Sequence, residues 1–113
     1  MIRIEIGRCK KPICKFKVSG HAGYDYEGSD IVCSAVTAVV YGALGALEEI
    51  CGLTEYEDVE MGLESDYIAF EVPKNISASI YDKTQIILET MCIGLKQIEF
   101  VYGEYVKINE REV

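Results

Sequence analysis

Asp30-Ile31-Val32-Cys33-Ser34-Ala35-Val36-Thr37-Ala38-Val39-Val40-Tyr41-Gly42-Ala43-Leu44-Gly45-Ala46-Leu47 is the stretch on which the fold of this chain turns. No charged residue occurs from Ile31 to Leu47, and the run touches the lower length limit of a membrane span. Its flanks argue against that reading: Asp30 precedes it, Glu48-Glu49 follow it, and no basic anchor stands at either end. The run is rich in small residues and holds the hydroxyls of Ser34 and Thr37. We therefore read it as a buried helix of a globular protein. Val32, Val36, Val39, Val40, Leu44 and Leu47 supply a core stripe at helical spacing. Ala38, Gly42, Gly45 and Ala46 form a second stripe that lets another backbone approach. Asp30 suits the N-cap, because its carboxylate accepts from the free N–H groups beyond it. The helix is expected to start at Ser29 or Asp30 and to end near Cys51, with Gly52 as its left-handed cap.

Upstream, Ile2, Ile4 and Ile6 alternate with Arg3 and Glu5, the period of a half-buried strand. Turn residues from Gly7 to Pro12 lead into Cys14, Phe16 and Val18, which alternate with Lys15, Lys17 and Ser19. The two strands predict a β-hairpin ended by Gly20. Downstream, Val59, Met61 and Leu63 alternate with Glu60 and Gly62, and Ile68, Phe70 and Val72 with Ala69 and Glu71, predicting a second hairpin. Thr84, Ile87, Met91, Leu95, Ile98 and Tyr102 predict a second helix from about Tyr81 to Tyr102. Tyr105 to Ile108 reads as a last strand. The order β-β-α-β-β-α-β predicts an α+β fold, a mainly antiparallel sheet with two long helices on one face.

The chain has 113 residues, half of them hydrophobic, so residues 1–113 are expected to form a single domain with its own core. A formal net charge of −8 argues against general binding to a nucleic-acid backbone. No secretory signal is evident, and the cysteine count is odd (Cys9, Cys14, Cys33, Cys51 and Cys92). Both features point to a reducing cytoplasm rather than a disulfide scaffold. Cys9 and Cys14 flank a turn and either pair under oxidation or remain two thiols. The cysteine spacing offers no second pair for zinc, so no metal is expected.

The chemistry concentrates just before the long helix. Gly20-His21-Ala22 contains the only histidine. The segment Ala22 to Ser29 reads as a mobile loop in which Gly23 and Gly28 bracket Tyr24 and Tyr26. Cys33 then falls in the expected first turn, where the free N–H groups and the positive end of the dipole favour a thiolate. His21 at a strand end and Cys33 at a helix start can converge, one as base and acid, the other as nucleophile. The backbone N–H groups of Cys33 and Ser34 are candidates for an oxyanion hole. Asp30 either orients His21 or only caps the helix. Tyr24, Tyr26 and Tyr41 are candidates for an aromatic wall, or simply packed tyrosines. One cysteine and one histidine also fit a buried thiol beside an incidental histidine.

Gly20-His21-Ala22, the glycine-bearing loop and Asp30-Ile31-Val32-Cys33-Ser34-Ala35 together resemble the ribosomal-processing cysteine protease family, Prp. The N-terminal hairpin, the small and apolar first helix, and Gln85-Ile86-Ile87-Leu88-Glu89-Thr90-Met91 in the second helix extend the resemblance over nearly the whole chain. The resemblance implies an endopeptidase that removes a short N-terminal extension from a protein of the bacterial large ribosomal subunit. It implies Cys33 as nucleophile, His21 as general base and acid, Asp30 in support, and the loop Gly23 to Gly28 as a cover over the substrate. It also implies a homodimer and no cofactor or metal; the acidic charge and the flanks of the apolar run, read above, leave no direct role expected for nucleic acid or membrane. Two other readings stay open at this point. A non-enzymatic ribosome-assembly or adaptor protein of the same fold would not need the Cys33 thiol. A thiol redox protein would need a resolving cysteine. Cys51 lies roughly 27 Å away along the same helix, which leaves Cys92 as the partner to consider.

Overall fold

A computed structural model describes residues 1–20, 27–59 and 67–113, with the backbone alone over 27–30. Strands β1 (Ile2–Arg8) and β2 (Ile13–Ser19) precede helix α1 (Glu27–Cys51); β3 (Glu57–Val59) and β4 (Tyr67–Glu71) precede helix α2 (Ala78–Tyr102); β5 (Val106–Glu112) closes the order. The expected β-β-α-β-β-α-β sequence of elements is the observed one. The sheet runs β3-β4-β2-β1-β5. Three of its pairings are antiparallel, and β5 lies parallel to β1.

Alternation fixes the two faces. Ile2, Ile4, Ile6, Phe16, Val18 and Phe70 point inward and meet Val32, Val36, Val40, Leu44 and Leu47 of α1, and Leu88, Met91 and Leu95 of α2. The outer face carries Arg3, Lys15, Lys17 and Lys107, all exposed, so both helices cover one face. Ile31–Cys51 is long and apolar enough to cross a membrane by composition alone, but its valine and leucine stripe is used up in this core.

Element ends depart from the sequence reading in instructive ways. α1 starts at Glu27, two or three residues early, so Asp30 is its fourth residue rather than its N-cap, and Gly28 belongs to the helix rather than to the loop. α2 likewise starts at Ala78 rather than Tyr81, because Ser77 caps it by accepting from Ile80 N–H at 3.2 Å. β5 continues past Ile108 to Glu112, since β1 offers a partner along its whole length. In the second hairpin, residues 60–66 lie outside the described part; β3 begins at Glu57, earlier than the expected Val59. The end of α1 is as read: Gly52 has φ +71°, with Gly52 N–H donating to Glu48 O and Leu53 N–H to Leu47 O, both at 3.0 Å.

The small-residue stripe of α1 does not serve internal packing. Ala38, Gly42 and Gly45 are exposed, and a Cβ built at Gly42 or Gly45 would meet nothing within 4 Å. The close approach between the helices comes instead from α2, where a Cβ at Gly94 would sit 3.4 Å from Val39 Cγ1.

Candidate active site around Cys33

Cys33 is half-buried on α1 and packs against the core cluster. It opens onto a cavity of about 340 Å³. One wall is a single face of α1: Cys33, Thr37 and Tyr41 follow at intervals of four residues. The opposite wall comes from Asp58 and Val59 of β3 with Tyr67 and Ile68 of β4. Ile2 and Val18 form an apolar floor, which runs out through Ser19 to Gly20.

Gly20 borders the cavity because the chain bends sharply there. Its φ is +84°, and a Cβ would fall 2.4 Å from the carbonyl oxygen of Met1. Only glycine fits both constraints. The residue after it, His21, lies outside the described residues, as do Gly23, Tyr24 and Tyr26 and the side chain of Asp30. The first four N–H groups of α1, at residues 27–30, are the ones left free by helix geometry. Cys33 is the seventh helical residue. Its N–H and that of Ser34 therefore lie inside the hydrogen-bonded body of the helix.

Of the three candidate wall tyrosines, Tyr41 lines the cavity. Its hydroxyl donates to Asp58 Oδ2 at 2.5 Å, bridging α1 to β3. Tyr67, also on the cavity wall, donates to Glu57 Oε2 at 2.6 Å, and this carboxylate raises the phenol pKa. The Lys17 ammonium lies 4.7 Å from the Tyr67 ring centroid. Thr37 and Asp58 escaped the sequence reading. Thr37 was findable, one helical turn beyond Cys33. Asp58 was not, because its place depends on where β3 starts and on its pairing with Ile68.

A larger concavity, of about 780 Å³, lies on the outer sheet face among Lys15, Lys17, Glu57, Glu71 and Arg111. It offers charges of both signs but no thiol, imidazole or aliphatic hydroxyl among its described lining residues. The Cys33 thiol directs attention to the smaller cavity. That cavity contains no second cysteine among its described lining residues, and Cys51 and Cys92 are buried in the core. A resolving thiol for Cys33 is thus missing from the described site.

The family model for the cysteine protease Prp matches residues 1–107. The chain belongs to the Prp family of cysteine proteases. It is 34% identical over 109 residues to the ribosomal processing cysteine protease Prp of Bacillus subtilis strain 168, covering 96% of each chain. It is 33% identical over 92 residues to the enzyme of the same name from Staphylococcus aureus strain Mu50, covering 81% of each. The crystal structure of Prp from S. aureus with a covalently linked product peptide superposes with a TM-score of 0.75 at 28% identity, covering 98% of this chain and all of that one. A crystal structure from Streptococcus mutans has the same fold, with a TM-score of 0.85 at 24% identity, and covers all of this chain and 96% of that one. The chain is thus a cysteine protease with the α+β fold of the Prp structures.

Proposed function

We propose that this Prp-family protease removes the short N-terminal extension of a bacterial large-subunit ribosomal protein, with Cys33 as nucleophile and His21 as its base and acid. The observation that carries the reading is the half-buried Cys33 opening onto a cavity whose rim ends at Gly20, the residue before His21, in a chain matched to the family over residues 1–107. The names of the B. subtilis and S. aureus relatives supply the ribosomal substrate.

In this reading His21 takes the Cys33 proton as Sγ attacks the scissile carbonyl carbon. The tetrahedral intermediate collapses, His21 protonates the departing amine, and the mature N-terminus leaves. The extension stays on Sγ as a thioester until water, deprotonated by His21, hydrolyses it. Asp30 supports His21, and the segment containing Gly23, Tyr24 and Tyr26 covers the bound peptide. The reaction takes place in the cytoplasm, where ribosomal proteins are made, and needs no cofactor. The enzyme works as a homodimer: α2 exposes Ile86, Ile93 and Phe100 at seven-residue spacing, an apolar stripe that a second copy would cover.

The test is cleavage of the host's extended ribosomal protein, read by mass spectrometry, with wild type, Cys33→Ala and His21→Ala. A single cut near the N-terminus by wild type, absent in both variants, is the expected result. Intact-mass analysis of quenched reactions should show the enzyme plus the extension minus one water. No cut by reduced, folded wild type would overturn the reading.

A further inference from the structure

The sheet carries one anomaly on its inner face. Ile108, Ile4, Val18, Ile68 and Asp58 form a single cross-strand row, one residue from each strand. Four members are apolar, as the face over a core requires. The fifth, at the β3 edge, is a carboxylate. It lines the Cys33 cavity and is the one formally charged side chain among the described lining residues. Among the described residues no lysine or arginine pairs with it; its partner is the Tyr41 hydroxyl, which holds Oδ2. Among the described residues nothing holds the other oxygen, Oδ1.

We infer that Asp58 is a specificity-determining residue: it receives a cationic group of the peptide substrate, a lysine or arginine side chain, three to four residues from the bond that Cys33 attacks. The inference rests on the proteolytic reading above. The distance follows from the helix. Tyr41, which holds Asp58, stands eight residues beyond Cys33, or roughly 12 Å along the axis. An extended peptide advances roughly 3.3 Å per residue, so this span corresponds to three or four residues. Charge agrees with geometry: a carboxylate that is the one formal charge among the described lining residues, in a chain of net charge −8, favours a cation over an anion. Tyr41 acts as the positioning residue, fixing the carboxylate so that less freedom is lost when the cation arrives.

The test is a lysine walk. A peptide spanning the host cleavage junction, with its basic residues replaced by glutamine, carries one lysine at each position in turn on both sides of the cut. Wild type should prefer lysine over glutamine by roughly tenfold in kcat/KM at a position three or four residues away, and by little elsewhere. Asp58→Asn should abolish that preference, and Asp58→Lys should transfer it to glutamate at the same position. Tyr41→Phe should weaken it through KM with kcat retained. The readout is the ratio between peptides, which a loss of folded enzyme does not move. A carboxylate that served only to blunt the edge of β3 would leave the ratio unchanged in Asp58→Asn, and that result would overturn the inference. Cleavage by wild type without any lysine preference overturns it too and leaves the proteolytic reading standing. No cleavage of any peptide overturns both.

Discussion

Gln85 joins α2 to the N-terminal hairpin through one side chain, and its replacement should be among the costliest polar changes in the protein. Its Oε1 accepts from Ile13 N–H at 2.9 Å, and its Nε2 donates to Ile13 C=O at 2.7 Å. The amide thus acts as a one-residue strand partner. Ile13 needs one because the β1–β2 register skips there: Gly7 faces Lys15, Arg8 faces Ile13, and Cys14 is left as the extra residue. Gln85→Leu removes two partly buried hydrogen bonds, each contributing about 1 kcal/mol, and strands a donor and an acceptor, for a total of about 2–3 kcal/mol. In a chain of this size that lowers Tm by roughly 8–12 °C. Urea unfolding followed by far-UV circular dichroism measures it, with an unchanged m-value expected.

Gln85→Glu makes the argument sharper. An ionised carboxylate can accept from Ile13 N–H but repels Ile13 C=O, whereas the protonated acid restores both bonds. The folded state therefore holds this proton more tightly than the unfolded chain does, and the folded pKa lies above the ordinary carboxylate value. Stability from that proton is fully present below the unfolded pKa and is lost as pH rises through the folded one. The deficit of Gln85→Glu relative to wild type should be large at pH 7 and shrink towards pH 4. A deficit that is flat with pH, or Gln85→Leu within 0.5 kcal/mol of wild type, would refute the reasoning.

Three further outcomes are expected. Arg8 holds Glu89 in two bonds of 2.7 and 2.9 Å and Glu110 at 3.0 Å, while Lys96 holds Glu110 at 2.8 Å; these partners lower the pKa of both carboxyls. Their contribution is present above the ordinary carboxylate value and lost as pH falls through the lowered folded values, so Arg8→Met should cost about 1 kcal/mol at pH 7, discounted for partial exposure, and progressively less as pH falls below the ordinary carboxylate range in matched urea melts. Burial, with help from Cys9, pushes the Cys14 thiol up to about 11. Peptide mapping after iodoacetamide treatment should find Cys14 slow at pH 7.5 and about tenfold faster per unit of rising pH, with Cys9→Ser making it faster at any given pH. Gly20→Ala should cost more than about 1 kcal/mol in thermal melts, through its positive φ and the clash with Met1 O, and should reduce peptide cleavage by more than that loss explains.

What was legible in the sequence was whatever has a short period. The isoleucines of β1 and the valines and leucines of α1 declared their faces because alternation and helical spacing survive without knowing any partner. The start of α1 was obscured because a glycine and polar residues before a helix read as loop, although the first turn tolerates them. The parallel pairing of β5 could not be read: beyond Val106 and Ile108 its residues are polar, and its place beside β1 depends on a contact about a hundred positions away. The candidate site divides along the same line. Cys33 and Tyr41 were read from the helix, while Asp58 and Tyr67 reach the cavity only through strand order and register.

That division has a mechanical counterpart in the two walls of the cavity. Cys33, Thr37 and Tyr41 ride on a helix whose adjacent face buries Val32, Val36, Val40, Leu44 and Leu47, so their spacing is tied to the global stability of the core. Moving that wall would mean breaking the packing that makes the protein fold. The facing wall includes β3 at the edge of the described sheet, paired with β4 alone among the described strands, with the Tyr41–Asp58 hydrogen bond as its described tie to the helix. Local opening costs least where few apolar contacts are lost. Opening of the cavity therefore costs more at α1 than at β3. An apolar helix sequence that looks at first like a membrane span is, on this account, the rigid wall of the Cys33 cavity.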